Sequence, residues 1–207
     1  MKQMEPMKVA VFVSGGGTNL QALIDAERSG VIKHAKIGLV VSNNPDAYAL
    51  TRACLAGIPA VVISSKEYRD QSVFEEKLIS TLNEYGIELI VLAGFMRILS
   101  ENFTSRYPKR ILNVHPSLIP AFCGKGFYGL KVHEAALAYG VKVTGATVHF
   151  VNEIPDGGEI ILQKSVNIRK GETAESLQQR VMRQVEWVIL PKAVELVSKE
   201  MITEKKR

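Results

Sequence analysis

Residues 8–13, Lys-Val-Ala-Val-Phe-Val, are apolar at nearly every position and rich in β-branched side chains, and they run directly into Ser14-Gly15-Gly16-Gly17-Thr18-Asn19. A strand that is apolar on both faces must be covered on both faces. The pattern therefore predicts an inner strand of a parallel sheet with helices on either side. A helical run follows the glycines at once, in Leu20, Ala22, Leu23, Ile24 and Ala26. The same alternation continues with strands expected at 37–41, 60–63, 87–93 and 110–114. Between them lie helices marked by Ala47, Leu50 and Ala53, with Asp46 as the expected cap and Gly57 as the stop, and by Phe74, Leu78, Ile79, Leu82 and Tyr85, stopped by Gly86. Repeated strand–helix units predict an α/β fold, a Rossmann-like and mostly parallel sheet flanked by helices with right-handed crossovers.

From Lys142 the pattern changes. Residues 143–151 and 159–166 read as two strands joined by a turn holding Asp156-Gly157-Gly158, an antiparallel hairpin added near the C-terminus. A last helix is expected to open at Thr173 and run through Trp187 and Val194, with Pro191 kinking or dividing it. With 46% hydrophobic residues in 207, the chain can bury its core as one domain, with 8–195 as the ordered part and 199–207 as a charged tail. That tail holds four positive and two negative residues, so of the net +5 only +3 belongs to the body. Without a basic block or interleaved aromatics, the charge does not point to nucleic acid. No run of about 18 apolar residues or signal-peptide pattern points to a membrane, and Cys54 and Cys123 form no C-x-x-C pair, so a cytoplasmic protein without a zinc or disulfide framework is expected.

Three stretches carry candidate chemistry. The glycine loop has the strand–turn–helix layout that holds anions on backbone N–H groups and a helix N-terminus, yet it fits neither G-x-G-x-x-G nor G-x-x-x-x-G-K-[ST]. One reading is a monophosphate held with help from Thr18 and Asn19; the other is a turn whose glycines serve sharp geometry alone. Asn113 and His115, in Ile-Leu-Asn-Val-His-Pro-Ser, lie two apart and share one face at a strand's carboxyl end. An amide donor beside an imidazole suits acyl-type chemistry, while a strand-end pair satisfied by loop backbone is the plain alternative. Residues 117–129 form an irregular loop, either a substrate lid or a packed Ω-loop with its own aromatic core. His133, on a helix, reads as a surface or packing residue, and His149, alternating with Val148 and Phe150, as a satisfied strand histidine.

Five motifs in order make the chain resemble the folate-dependent formyltransferase family from about Val9 to Pro191: Ser-Gly-Gly-Gly-Thr-Asn-Leu-Gln-Ala at 14–22, Val-Ser-Asn-Asn at 41–44, Leu-Ala-Gly-Phe-Met-Arg-Ile-Leu-Ser at 92–100, Asn-Val-His-Pro-Ser-Leu-Ile-Pro at 113–120, and Gly145-Ala-Thr-Val-His-Phe-Val with Asp156 and Gly158. The resemblance implies that the formyl group of 10-formyltetrahydrofolate, a cosubstrate, is passed to the primary amine of glycinamide ribonucleotide in purine biosynthesis, without a metal. It implies a catalytic trio of Asn113, His115 and Asp156 and a substrate phosphate on Gly17, Thr18 and Asn19. Glu186 would lie near the substrate amine, and folate would meet Met96, Arg97, Ile98, Leu99 and Asn113. Gln71 stands where the family often has an arginine near folate's glutamate tail, with Arg69 two residues earlier as the other candidate. Cys123, Pro155 and Glu159 also depart from the family pattern. Relatives that act on a charged tRNA, or that hydrolyse the formyl group, would need a further domain. A silent phosphate- or folate-binding module would bind without transfer.

Overall fold

The computed structural model describes residues 5–64, 66–68 and 70–205. The alternation read from the sequence appears as β1 (Met7–Val13), α1 (Thr18–Arg28), β2 (Ala35–Ser42), α2 (Tyr48–Leu55), β3 (Ala60–Val62), α3 (Gln71–Glu84), β4 (Leu89–Leu92), a one-turn α4 (Glu101–Thr104) and β5 (Ile111–His115). Then come α5 (Leu130–Tyr139), the hairpin β6 (Val143–Phe150) and β7 (Ile160–Asn167), α6 (Ala174–Val181) and α7 (Trp187–Glu204). The seven strands form one sheet in the order β3-β2-β1-β4-β5-β6-β7. β1 to β5 run parallel, and the hairpin adds antiparallel pairing, as expected, β6 to β5 and β7 to β6.

The unbroken apolar run of β1 is explained by two cores. Val9, Val11 and Val13 pack on one face with Leu20 and Leu23 of α1 and Leu190 and Val194 of α7. Ala10 and Phe12 pack on the other with Phe74, Leu78 and Leu82 of α3. Successive side chains of a strand point to opposite faces, so both sets must be apolar when both faces are covered. Burying a leucine or phenylalanine fully contributes roughly 1.5–3 kcal/mol, which makes this double covering the main source of stability.

The chain winds outward from β1 to β2 and β3, then returns to β4 on β1's other side. Loops leaving β1 and β4 diverge there, and in open α/β sheets such a switch point is where ligands bind. None of the described helices is long and apolar enough to cross a membrane.

Three expectations need correction. Asp46 does not cap α2: the capping position is Ala47, without a side-chain bond, and the Asp46 N–H is itself held by Asn44 Oδ1 at 3.1 Å. Asn44 closes the preceding turn through its own side chain, which carries the chain one residue further before the helix starts. Pro191 lies inside α7 instead of dividing it, and the break between α6 and α7 is a π-helical turn at Met182–Glu186. A helical proline crowds the carbonyl four residues back, here that of Trp187, the residue that follows the wide turn. The expected tail continues α7 to Glu204, and the Lys205 amine bonds the Glu88 carboxylate. Residues 206 and 207 lie outside the described residues.

Candidate active site

Asn113 and His115 stand on one face at the carboxyl end of β5, and the antiparallel register with β6 places His149 directly opposite Asn113. His149 Nδ1 lies 2.8 Å from the Phe150 carbonyl, which can only accept, so Nδ1 carries a proton. Nε2, on the other edge of the ring, lies between Asn113 Nδ2 at 3.2 Å and Asp156 Oδ1 at 3.6 Å, placed to accept from the amide or to donate to the carboxylate. The amide nitrogen also reaches Asp156 Oδ1 at 3.4 Å, a long bond. On the neighbouring position, His115 is buried, with Nε2 2.9 Å from the Phe122 carbonyl. Since that oxygen too can only accept, Nε2 is protonated, and Nδ1 faces Asp156 Oδ2 at 3.5 Å.

Asp156 arrives from the β6–β7 turn in a left-handed conformation, φ 57°. Its glycine neighbours are demanded by close approach. A Cβ on Gly158 would lie 1.7 Å from the Phe150 carbonyl oxygen, and one on Gly157 2.6 Å from the Ile154 side chain. The carboxylate accepts the Gly124 N–H at 2.8 Å and lies 3.6 Å from His149 Nε2. Burial alone would raise its pKa, but the His149 hydrogen bond, the charge of His115 and the Gly124 N–H outweigh burial and hold the carboxyl below its ordinary value. The sequence-predicted trio thus converges, and His149 joins it.

In the 117–129 loop Phe122 packs edge-on against Phe127 and against Tyr139 of α5. The loop base is tied down by Thr147 Oγ1, which donates to the Ser117 carbonyl and accepts the Ile119 N–H. Residues 124–129 meanwhile wall the cavity, and the loop backbone bonds both His115 and Asp156.

That cavity, about 820 Å³, extends from the trio in two directions. On one side is the turn after β4, where Met96 and Ile98 are 60% and 65% exposed while Leu99 is buried. The Met96 N–H donates to Ser14 Oγ at 2.8 Å, joining this turn to the glycine loop. Gln71 Oε1 accepts Arg97 Nε at 3.0 Å, its Nε2 donates to the Ile98 carbonyl at 3.2 Å, and the Arg97 guanidinium lies 4.0 Å over the Phe74 ring. Buried Glu75 accepts from Gln71 and from the Ser100 N–H, fixing the turn from below. Gln71 therefore sits against the turn at residues 96–99, and Arg69 lies outside the described residues.

On the other side are Asn19, Met182 and Glu186. Gly17 opens α1 at φ 69°, and a Cβ there would come within 2.6 Å of Ala49 Cβ, so the position requires glycine. The carbonyls of Ser14, Gly15 and Gly16 are held by Asn44, Ala49 and Arg52, whereas the N–H groups of Gly15, Gly16 and Gly17 have no partner among the described residues. Of the three predicted phosphate residues only Asn19 lines the cavity. Thr18 Oγ1 donates to Met182 Sδ, and Asn19 Nδ2 to Glu186 Oε2 at 2.7 Å. The Asn19 side-chain nitrogen is thus engaged by a carboxylate, which leaves backbone N–H groups as the anion donors of the loop. Burial raises the Glu186 pKa, and the Asn19 bond only partly offsets it. Among the described residues, no group of three or more His, Cys, Asp or Glu is placed to hold a metal ion.

A doubly wound sheet whose strand ends hold an asparagine, two histidines and an aspartate around a two-armed cavity defines an α/β protein with a site shaped for acyl-type chemistry. The family model described as formyl transferase matches residues 7–194, and the chain belongs to that family. Phosphoribosylglycinamide formyltransferase of Haemophilus influenzae is 44% identical over 184 residues, covering 89% of this chain and 84% of that protein. The human trifunctional purine biosynthetic protein adenosine-3 is 44% identical over 191 residues, covering 92% of this chain but 18% of that protein, so the chain spans under a fifth of that relative's length. The crystal structure of glycinamide ribonucleotide transformylase 1 from Symbiobacterium toebii superposes with a TM-score of 0.89 at 40% identity, covering 96% of this chain and 90% of that one.

Proposed function

We propose that the chain transfers the formyl group of 10-formyltetrahydrofolate to the primary amine of glycinamide ribonucleotide, giving the N-formyl ribonucleotide and tetrahydrofolate, a cytoplasmic step of purine biosynthesis. The observation that carries the reading is the convergence of Asn113, His115 and Asp156 between an anion-type glycine loop and the exposed apolar turn of Met96 and Ile98. The acceptor spans from the loop N–H groups, which take its phosphate, to Glu186, which meets its amine. The folate pterin lies on residues 96–99, with Gln71 and Arg97 toward its tail. Residues 8–195 act as one domain, since the arm of the cavity at Asn19 joins the first helix to Met182 and Glu186 near the other end of the chain.

The amine nitrogen attacks the formyl carbon, the carbonyl oxygen takes up negative charge, the carbon–N10 bond breaks, and a proton from the amine ends on N10. Asn113 Nδ2 releases its long bond to Asp156 and donates to the oxyanion, and protonated His115, its ring nitrogens turned to the Phe122 carbonyl and to Asp156, sets a positive charge beside it. Ionised Asp156 orients His115 and sets a negative charge beside the imidazolium. No side-chain nucleophile is needed, because the substrate brings its own. The test is a spectroscopic transfer assay with and without glycinamide ribonucleotide. Consumption of 10-formyltetrahydrofolate only with the acceptor is expected; equal consumption without it would mean hydrolysis, and binding without consumption a silent module.

A further inference from the structure

His133 is 0% exposed on α5, and neither ring nitrogen has a hydrogen-bond partner among the described residues. A neutral imidazole always presents one donor and one acceptor, so no choice of tautomer removes the deficit. Buried polar groups are nearly always partnered, and a leucine of similar size would fill the same space without loss. His133 is one of the residues that line the cavity. α5 packs on α6, and the wall continues there through Gln178, Met182 and Glu186, the arm that holds the Asn19–Glu186 pair. Burial, and after it the charge of His115, push the His133 pKa down to about 4, so the ring is uncharged at neutral pH. It therefore brings hydrogen-bonding capacity and no charge to the site.

We infer that His133 is a binding residue for the acceptor substrate, one ring nitrogen forming a hydrogen bond with a neutral group of the ribonucleotide, either a sugar hydroxyl or its amide. The inference rests on the function proposed above and adds a contact that the trio, the glycine loop and Glu186 do not make. The charged ends of the acceptor already have charged or dipolar partners in this arm, and its neutral middle matches a neutral imidazole. A water-excluded wall is also where such a bond discriminates most, since an analogue lacking the group leaves the imidazole unpaired.

The experiment compares wild type, His133→Leu and His133→Gln by steady-state kinetics in both substrates, together with thermal denaturation. Leucine is expected to raise the KM for glycinamide ribonucleotide about tenfold, the scale of one neutral hydrogen bond, with the KM for 10-formyltetrahydrofolate within twofold and Tm unchanged or higher. Glutamine, which keeps a donor and an acceptor, is expected to recover most of the acceptor affinity. Should the leucine variant not fold, His133→Met takes its place. Acceptor analogues lacking the 2′- or 3′-hydroxyl separate the two partner groups. Loss in wild type but no further loss in the leucine variant identifies the hydroxyl, and additive losses identify the amide. An unchanged acceptor KM, an equal rise in both KM values, or a fall in Tm alone would overturn the inference while leaving the function standing. Absence of acceptor-dependent turnover in wild type would overturn both.

Discussion

Asp156 concentrates the chemistry of single residues. It accepts from a loop N–H, faces two imidazoles and adopts a backbone conformation that few non-glycine residues take. Asp156→Asn keeps the shape but removes the charge, so turnover is expected to fall about 10²–10³-fold, with both substrates still bound in calorimetry; near wild-type turnover would exclude the mechanism. Glu186 makes the opposite trade. Its folded pKa is raised, so the native state holds the proton more tightly than the unfolded chain, and this stability is present below the ordinary value of 4.5 and lost as pH rises through the folded value. The ionised side chain is therefore a burden at neutral pH. Glutamine at 186 cannot ionise and can pair with both Asn19 Nδ2 and the unpartnered Asn19 Oδ1. Glu186→Gln is expected to raise Tm on the order of a few degrees at pH 7, with the gain shrinking in mild acid, while acceptor kcat/KM falls. His133 has the reverse sign. Its folded pKa of about 4 lies below the ordinary 6.5, so the unfolded chain takes the proton first and stability falls with pH across that window. The loss approaches about 3 kcal/mol, and urea titrations from pH 7 to 4.5 should show a slope that His133→Leu flattens.

At the scale of elements, the glycine loop and the Asp-Gly-Gly turn are built by the same rule, close backbone approach where a Cβ has no room. Gly17→Ala combines a left-handed φ with a 2.6 Å contact to Ala49, which should destabilise the protein by roughly 1–3 kcal/mol and tilt the start of α1. The measurable result is a lower Tm together with weakened binding of the ribonucleotide, while binding of the folate cosubstrate persists. Elements were legible in the sequence where their hydrophobic period is unambiguous: β1 and β4 as doubly covered strands, and α3 as an amphipathic helix ended by Gly86. The boundary between α6 and α7 was not. Pro191 signals an interruption, but its position depends on which turn can widen while Met182 and Glu186 reach Thr18 and Asn19, residues more than 160 positions away. The cap of α2 failed for a related reason, since Asp46 is the favoured residue type but Asn44 already closes the turn.

For the molecule as a whole, the cavity draws its two arms from the start of α1, from the loop after β4, from β5, from the β6–β7 turn and from the π-helical turn, so either substrate should stabilise the entire fold. At a hundredfold excess over Kd, each is expected to add about 2.7 kcal/mol, read as an upward shift in Tm, with inorganic phosphate adding less than the ribonucleotide. The sequence alone determined the α/β alternation, the C-terminal hairpin, the glycine loop and the Asn113 and His115 pair, because each is written in local periodicity, glycine placement or spacing along one strand. Tertiary structure decided the partners: His149 as the cross-strand neighbour of Asn113, Glu75 beneath the turn at residues 96–100, the Asn19 bond to Glu186, and the unpartnered ring of His133. The physical reason is that a side chain's chemistry is set by what lies within about 4 Å of it and by how much water is excluded. For these residues the neighbours come from distant strands and helices, whose register and packing no local pattern specifies.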